Sequence, residues 1–253
     1  MHRRTLTLAV FSLLAIGLSA PPVRAEQASV AVAANFTEPA KEIAAAFKAK
    51  TGDEVVLSFG ASGAFYTQIT QDAPFLILLS ADDERPKKLI DDGLAVASSR
   101  FTYAIGKLVL WSRSAGVVKR ADTLKSGSFS KISIANPAAA PYGGAAIEAM
   151  KALGVYDSLT PKIVQGNSIA QAFQFIDTGN AELGFVALSQ LAGNNTGSRW
   201  MVPQELYSPI RQDAVLLKKG AANTAATGFM TFMKGPDAIA IIQKYGYVLP
   251  TAN

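Results

Sequence analysis

The chain has 253 residues, 24 Lys and Arg against 19 Asp and Glu, no Cys, and a single His, His2. Without Cys, and with its one His at position 2, the body of the chain cannot hold a Ser-His-Asp triad, a Cys nucleophile, a disulfide or the common zinc and copper sites. Hydrophobic residues make up 49% of it, enough to build one large core or two modest ones.

Residues 1–25 read as a secretory signal: a basic start at His2, Arg3 and Arg4, an apolar run over 6–18, and Val23-Arg24-Ala25 before an expected cleavage after Ala25. The apolar run is too short to span a bilayer comfortably, and no later stretch is long enough to do so. The Arg pair suggests a twin-arginine signal, but its flanks fit that poorly, so ordinary export is expected. With no Cys there is no lipidated anchor. Removal takes Arg3, Arg4 and Arg24 with it, which leaves 21 basic against 19 acidic residues in a mature chain of 228. The basic surplus is thus partly the signal's. The pairs Lys87-Lys88, Lys119-Arg120 and Lys218-Lys219 read as solvated faces, and no nucleic-acid partner is expected.

Residues 29–47 set the pattern for the rest. The uncharged run 30–33 predicts a strand buried on both faces. Asn35 or Thr37 as a cap, Glu38 in the first turn and Pro39 near the start predict a helix with Ala40, Ile43, Ala44 and Phe47 on one face. Free N–H groups of that helix then face out from the carboxyl edge of a sheet, where open α/β sheets bind ligands and helix N-termini favour anions. Alone, the stretch reads first as an ordinary capped βα unit; its recurrence argues for a site.

A strand over 54–59 runs into Gly60-Ala61-Ser62-Gly63-Ala64 and a helix over 64–71. The glycines allow close backbone approach, and Ser62 can donate from hydroxyl and N–H; the plainer reading is a serine-capped turn. A strand over 75–79 leads to a helix over 83–91, with Asp82, Asp83 and Glu84 complementing its dipole and not forming a metal site. One or two strands over 101–111, bending at Gly106, carry the chain into a second lobe. There a strand over 131–135, a loop bearing Tyr142 and a helix over 145–153 repeat the pattern. A strand over 162–164, Gly166-Asn167-Ser168-Ile169 and a helix over 170–177 repeat it again. A strand over 181–188, a short helix over 189–192 and a strand over 200–202 follow. The strand 210–217 returns to the first lobe, and helices over 224–233 and 236–245 finish the chain. The result is an α/β protein of two lobes, 26–106 with 208–253 and 107–207, enclosing a ligand in their cleft by hinge closure.

Ala-Ala-Asn-Phe at 33–36, Ser-Phe-Gly-Ala-Ser-Gly at 58–63, Leu-Ser-Ala-Asp at 79–82, Asn-Pro-x-x-x-Pro-Tyr-Gly at 136–143, and Lys-Gly-Pro-Asp-Ala at 234–238 before Lys-Tyr-Gly-Tyr at 244–247 are each weak motifs. In this order and spacing they are specific, and over nearly all of 28–250 the chain resembles the periplasmic molybdate-binding proteins of ABC importers. The resemblance implies a type II periplasmic-binding-protein fold, a monomer, no enzymatic activity and no cofactor. It implies a molybdate, and with it a tungstate, held only by hydrogen bonds and delivered to a membrane permease. Any metal is then held through oxyanion oxygens, with no direct protein ligand. By the same resemblance Asn35, Ser62 and Tyr142 bind through side chains, Ile169 through its backbone N–H, and Ala34, where some relatives have threonine, through backbone alone. Many relatives carry a tyrosine near Ala187, whose place Tyr142 takes here; an acid is usual at Leu76.

The chemistry agrees with this. Molybdate at neutral pH is a proton-free dianion that only accepts hydrogen bonds. The loops 34–36, 60–63, 138–143 and 166–169 contain no Asp or Glu to repel it. Two other readings stand beside this one: the same fold binding another tetrahedral oxyanion such as sulfate, and an exported hydrolase using carboxylates.

Overall fold

The computed structural model describes residues 26–250; the expected signal at 1–25 lies outside the described residues. Among the described residues ten strands form two five-stranded sheets. In the first, β1 (Gln27–Ala33) lies between β2 (Glu54–Gly60) and β3 (Ile77–Leu79), parallel to both. β4 (Phe101–Gly106) sits at the far edge. In the second, β5 (Leu108–Ser112) occupies the fourth place, and β6 (Ile132–Ala135), β7 (Ile163–Gly166) and β8 (Leu183–Ala187) are the parallel set, with β9 (Ser198–Met201) at the edge. The last strand, β10 (Ile210–Leu216), returns to the first sheet between β3 and β4, antiparallel to both.

The two sheets therefore share one topology, β2-β1-β3-β10-β4 and β7-β6-β8-β5-β9. In each, four strands point one way and the fourth in order is reversed, since β10 and β5 are antiparallel to both neighbours. Each reversed strand follows directly on a strand of the other sheet. The sheets are thus mostly parallel, with helices between their strands.

The helices in the first half are α1 (Thr37–Thr51), α2 (Ser62–Thr70), α3 (Glu84–Asp91) and α4 (Ala121–Ser126). Then come α5 (Pro141–Ala152), α6 (Tyr156–Leu159), α7 (Ile169–Asp177), α8 (Thr224–Phe232) and α9 (Pro236–Lys244). The short α4 and α6 have no counterpart in the sequence reading. Among the described residues no helix is long and apolar enough to cross a membrane. One core packs Val30, Val32, Phe36, Ile43 and Phe47 against Phe229 and Ile242. The other packs Leu108, Leu110, Ile132, Ile134 and Phe185 against Ala149 and Met150, and runs on through Tyr142 to Ala34, Ala61 and Ala81 of the first sheet's loops.

Three local expectations differ. Asn35 does not cap α1: it lies in a 3-10 turn, Ala34–Phe36, and no side chain caps the helix. The Thr37 hydroxyl instead donates to Ala34 O at 2.8 Å, and Pro39 is the third helical residue, where its missing N–H loses no intrahelical bond. Ser62 is not a cap either but the first residue of α2. Tyr142 is not on a loop: α5 starts at Pro141, whose fixed φ suits a first helical position, so Tyr142 and Gly143 fall in its first turn.

Candidate functional site

The parallel strands of both sheets end toward each other. The residues just past β1, β2, β3, β6 and β7 line one small cavity: Ala34 and Asn35, Ala61 and Ser62, Ala81, Pro141 and Tyr142, and Ile169. It measures about 10 Å³, on the scale where one water molecule needs about 10–15 Å³. Its walls are shut: Asn35 is 3% exposed, Ser62 1%, Tyr142 1% and Ile169 3%. The five residues singled out in the sequence are therefore brought together, with Ala34, Ala61, Ala81 and Ala140 supplying an apolar frame.

Two hydroxyls in this wall each accept one hydrogen bond from the protein. Ala81 N–H donates to Ser62 Oγ at 2.9 Å, and Gln212 Nε2 donates to Tyr142 Oη at 3.3 Å. Each hydroxyl keeps its own proton to give away. Burial pushes the Tyr142 pKa well above the usual tyrosine value, with the neighbouring Tyr247 and Tyr103 adding to it, so the donor is neutral and intact. Backbone donors join them. Ile169, Ser62 and Ala34 are first residues of α7, α2 and the 3-10 turn, and Tyr142 is second in α5; none of these N–H groups has an intrahelical acceptor. Ser168 caps α7, its Oγ accepting Gln171 N–H at 3.3 Å, which fixes the direction of that helix start. Three helix N-termini thus converge on the cavity and give it positive potential without a cation.

Asn35 is placed differently from the expectation. Its Nδ2 donates to Gln212 Oε1 at 2.8 Å and Tyr247 Oη at 2.9 Å, so both amide protons are held by protein. Its backbone carbonyl oxygen accepts from Ser189 Oγ and Tyr247 Oη. Asn35 is the hub of a buried cluster containing Tyr103, Ser189, Gln212 and Tyr247, none of which the sequence reading assigned to a site. Phe36 braces two of its members, its ring meeting Tyr103 and Tyr247 edge-on at 4.8 and 5.4 Å between centroids. The available signal was Gln212, the middle of three polar residues, Arg211 to Asp213, in the strand 210–217.

No charged side chain lines the cavity. The buried acid Asp213 is held by Thr102 Oγ1 at 2.7 Å and Arg100 Nη1 at 3.1 Å, its pKa raised by burial against those partners. Asp82 pairs with the Arg85 guanidinium and also accepts Arg85 N–H at 2.9 Å. Among the described residues no cluster of His, Cys, Asp and Glu could hold a metal ion.

Bonds cross the cleft at its mouth. Gly63 N–H donates to Ala139 O at 2.9 Å, and Arg85 Nη2 to Ala138 O at 2.9 Å. At the back, Ser189 Oγ donates to Asn35 O at 2.8 Å.

A family profile described as bacterial extracellular solute-binding protein matches residues 28–248. The molybdate-binding protein ModA of Rhodobacter capsulatus is 57% identical over 235 residues, covering 93% of each chain. ModA of Azotobacter vinelandii is 52% identical over 240 residues, 93% of this chain and 95% of that one. The solved periplasmic molybdate-binding protein of Azotobacter vinelandii superposes with a TM-score of 0.86 at 44% identity, over 88% of this chain and all of that one. The sulfate-binding protein SubI of Mycobacterium tuberculosis shares the fold alone, at a TM-score of 0.74 and 12% identity over 88% of this chain and 86% of that one.

Proposed function

The chain belongs to the bacterial extracellular solute-binding proteins, and from that membership we propose that it captures molybdate and hands it to the permease of an ABC importer. It acts as a carrier and not as an enzyme. Tungstate, alike in charge and shape, is a second cargo. We place its work in the periplasm, after cleavage at Ala25, as a monomer whose lobes are 26–106 with 208–253 and 107–207.

The observation that carries this reading is a closed, charge-free cavity lined by donors. Ser62 and Tyr142 give hydroxyl protons; Ile169, Ser62 and Ala34 give N–H groups from helix starts. Asn35 contributes by holding the wall and through its backbone. Each donor to a dianion contributes about 1.5–3 kcal/mol, so a handful of them offsets the loss of the anion's hydration without a counter-ion. The relatives at 57% and 52% identity supply the choice of anion.

Calorimetric titration with molybdate, tungstate, sulfate and phosphate tests it. Molybdate and tungstate should bind at least tenfold more tightly than sulfate and phosphate. At molybdate one hundred times its Kd, stabilisation by about 2.7 kcal/mol should raise the melting temperature by roughly 5–10 °C. Sulfate binding as tightly as molybdate would move the assignment to another oxyanion. No shift with any oxyanion would remove it.

A further inference from the structure

We propose that Gln212 is a positioning residue that decides which way the Tyr142 hydroxyl points its proton, and so makes Tyr142 an obligatory donor to the bound oxyanion. The inference rests on the reading of the cavity as an oxyanion site and deepens it.

Gln212 is fully buried in β10 of the first sheet, while Tyr142 belongs to α5 beside the second. The two meet only because the lobes are together. Every polar atom of the Gln212 amide is spoken for. Oε1 accepts from Asn35 Nδ2 at 2.8 Å and faces Tyr103 Oη at 3.1 Å; Nε2 donates to Tyr142 Oη at 3.3 Å. With Asn35 Nδ2 donating to Gln212 Oε1, the nitrogen of the Gln212 amide is the atom left for Tyr142. An amide nitrogen can only give a proton, so Tyr142 cannot donate back to Gln212. Its own proton is left for the cavity, with the Tyr247 hydroxyl the other oxygen beside it.

Two features of the backbone build this contact. The β10–β4 pairing shifts register between Gln212 and Asp213, with Gln212 opposite Ala104 and Asp213 opposite Thr102, which leaves Tyr103 as the extra residue of a bulge. That brings the Tyr103 hydroxyl to the Gln212 oxygen. Gly106 ends β4 at the chain's crossing into the second sheet, and a Cβ there would overlap the Tyr142 hydroxyl and lie 2.8 Å from Gln212 Nε2. The meeting point is therefore kept clear by the absence of a side chain.

The test is a double-substitution cycle read by molybdate titration: parent, Gln212→Met, Tyr142→Phe and both together. Gln212→Met keeps the volume and removes the amide. It should weaken molybdate binding about tenfold in the parent, the loss of one well-aimed donor to a charged guest. In the Tyr142→Phe background it should cost less than about twofold, because no proton remains to be aimed. Equal losses in both backgrounds, or none in either, overturn the proposal.

Gln212→Glu preserves shape and gives a second readout if the Met variant folds poorly. The introduced carboxylate accepts the Tyr142 proton, so binding should be weak near pH 8 and recover toward that of the parent near pH 5 as the buried carboxyl protonates. The groups facing position 212 are Tyr103, Tyr142 and Tyr247, which stay neutral over that range, and the adjacent Asp213, whose own titration is common to parent and variant. A variant as tight as the parent at pH 8, or equally weak throughout, overturns the proposal. A parent that binds no oxyanion sinks the functional reading and this inference with it; a binding parent with uncoupled variants sinks this inference alone.

Discussion

Gly63→Ala should move stability and affinity in opposite directions. Gly63 is the second residue of α2, and its N–H reaches across the cleft to Ala139 O. A Cβ on it would lie 2.9 Å from Ala139 Cα and 3.1 Å from Ala139 O. Both are backbone atoms and cannot swing aside, so the lobes must part by roughly 0.5 Å to restore ordinary contact. Overpacking of this kind costs about 1–3 kcal/mol, and here the cost falls on the closed form alone. Molybdate affinity should therefore drop about 5- to 150-fold. In the open form the same methyl replaces a helical glycine, which favours the fold by up to about 1 kcal/mol. The ligand-free melting temperature should then stay level or rise by up to roughly 4 °C. Titration calorimetry and a ligand-free melting scan on the same sample read both. Unchanged affinity would refute closure through the Gly63–Ala139 contact, and a joint fall in affinity and stability would mean the residue only holds α2 together.

Ser62→Ala and Tyr142→Phe should each weaken molybdate binding by about 10- to 100-fold, the loss of one hydroxyl donor to a dianion. Ser62→Ala also strips Ala81 N–H of its acceptor, so a ligand-free melting temperature lower by a few degrees accompanies it; normal binding by both variants would dissolve the assignment of the cavity. A pH dependence follows from the buried tyrosines. Burial raises the pKa of Tyr103 and Tyr142 well above 10.0 and that of Tyr247 to about 12. The folded state then keeps protons that the unfolded chain releases, so the contribution of these tyrosines to stability is constant below pH 10 and is lost as pH climbs from there toward about 12. Urea midpoints together with tyrosinate absorbance should show this loss and the ionisation of the buried tyrosines arriving together; ionisation that precedes unfolding would show that the cluster is open to water.

Much of the fold was readable because it is written locally. The run 30–33 is apolar on every residue and forms the buried second half of β1, an interior strand of the first sheet; the spacing of Ala40, Ile43 and Phe47 became the inner face of α1. That Ser62, Tyr142 and Ile169 line one cavity was readable because each lies at a strand-to-helix junction, a feature only a few residues long. The errors are also physical. Asn35 has the composition of a cap, but a stronger set of partners, Gln212 and Tyr247, draws its amide inward. Tyr142 looked loop-borne because its glycines are poor helix formers, yet Pro141 starts α5 ahead of them. Gln212 was missed because its partners lie 70, 109 and 177 positions away, and no window on the sequence spans them.

The cavity draws its positive character from peptide groups at three helix starts, and that has an evolutionary side. A guanidinium or an ammonium vanishes with one codon change; an amide N–H at a helix start survives almost any replacement at its position, proline aside. Mutation can therefore retune the size of this chamber and the hydroxyls that decorate it far more readily than it can abolish its pull on an anion, so descendants of such a site would be expected to change cargo before losing the ability to carry one.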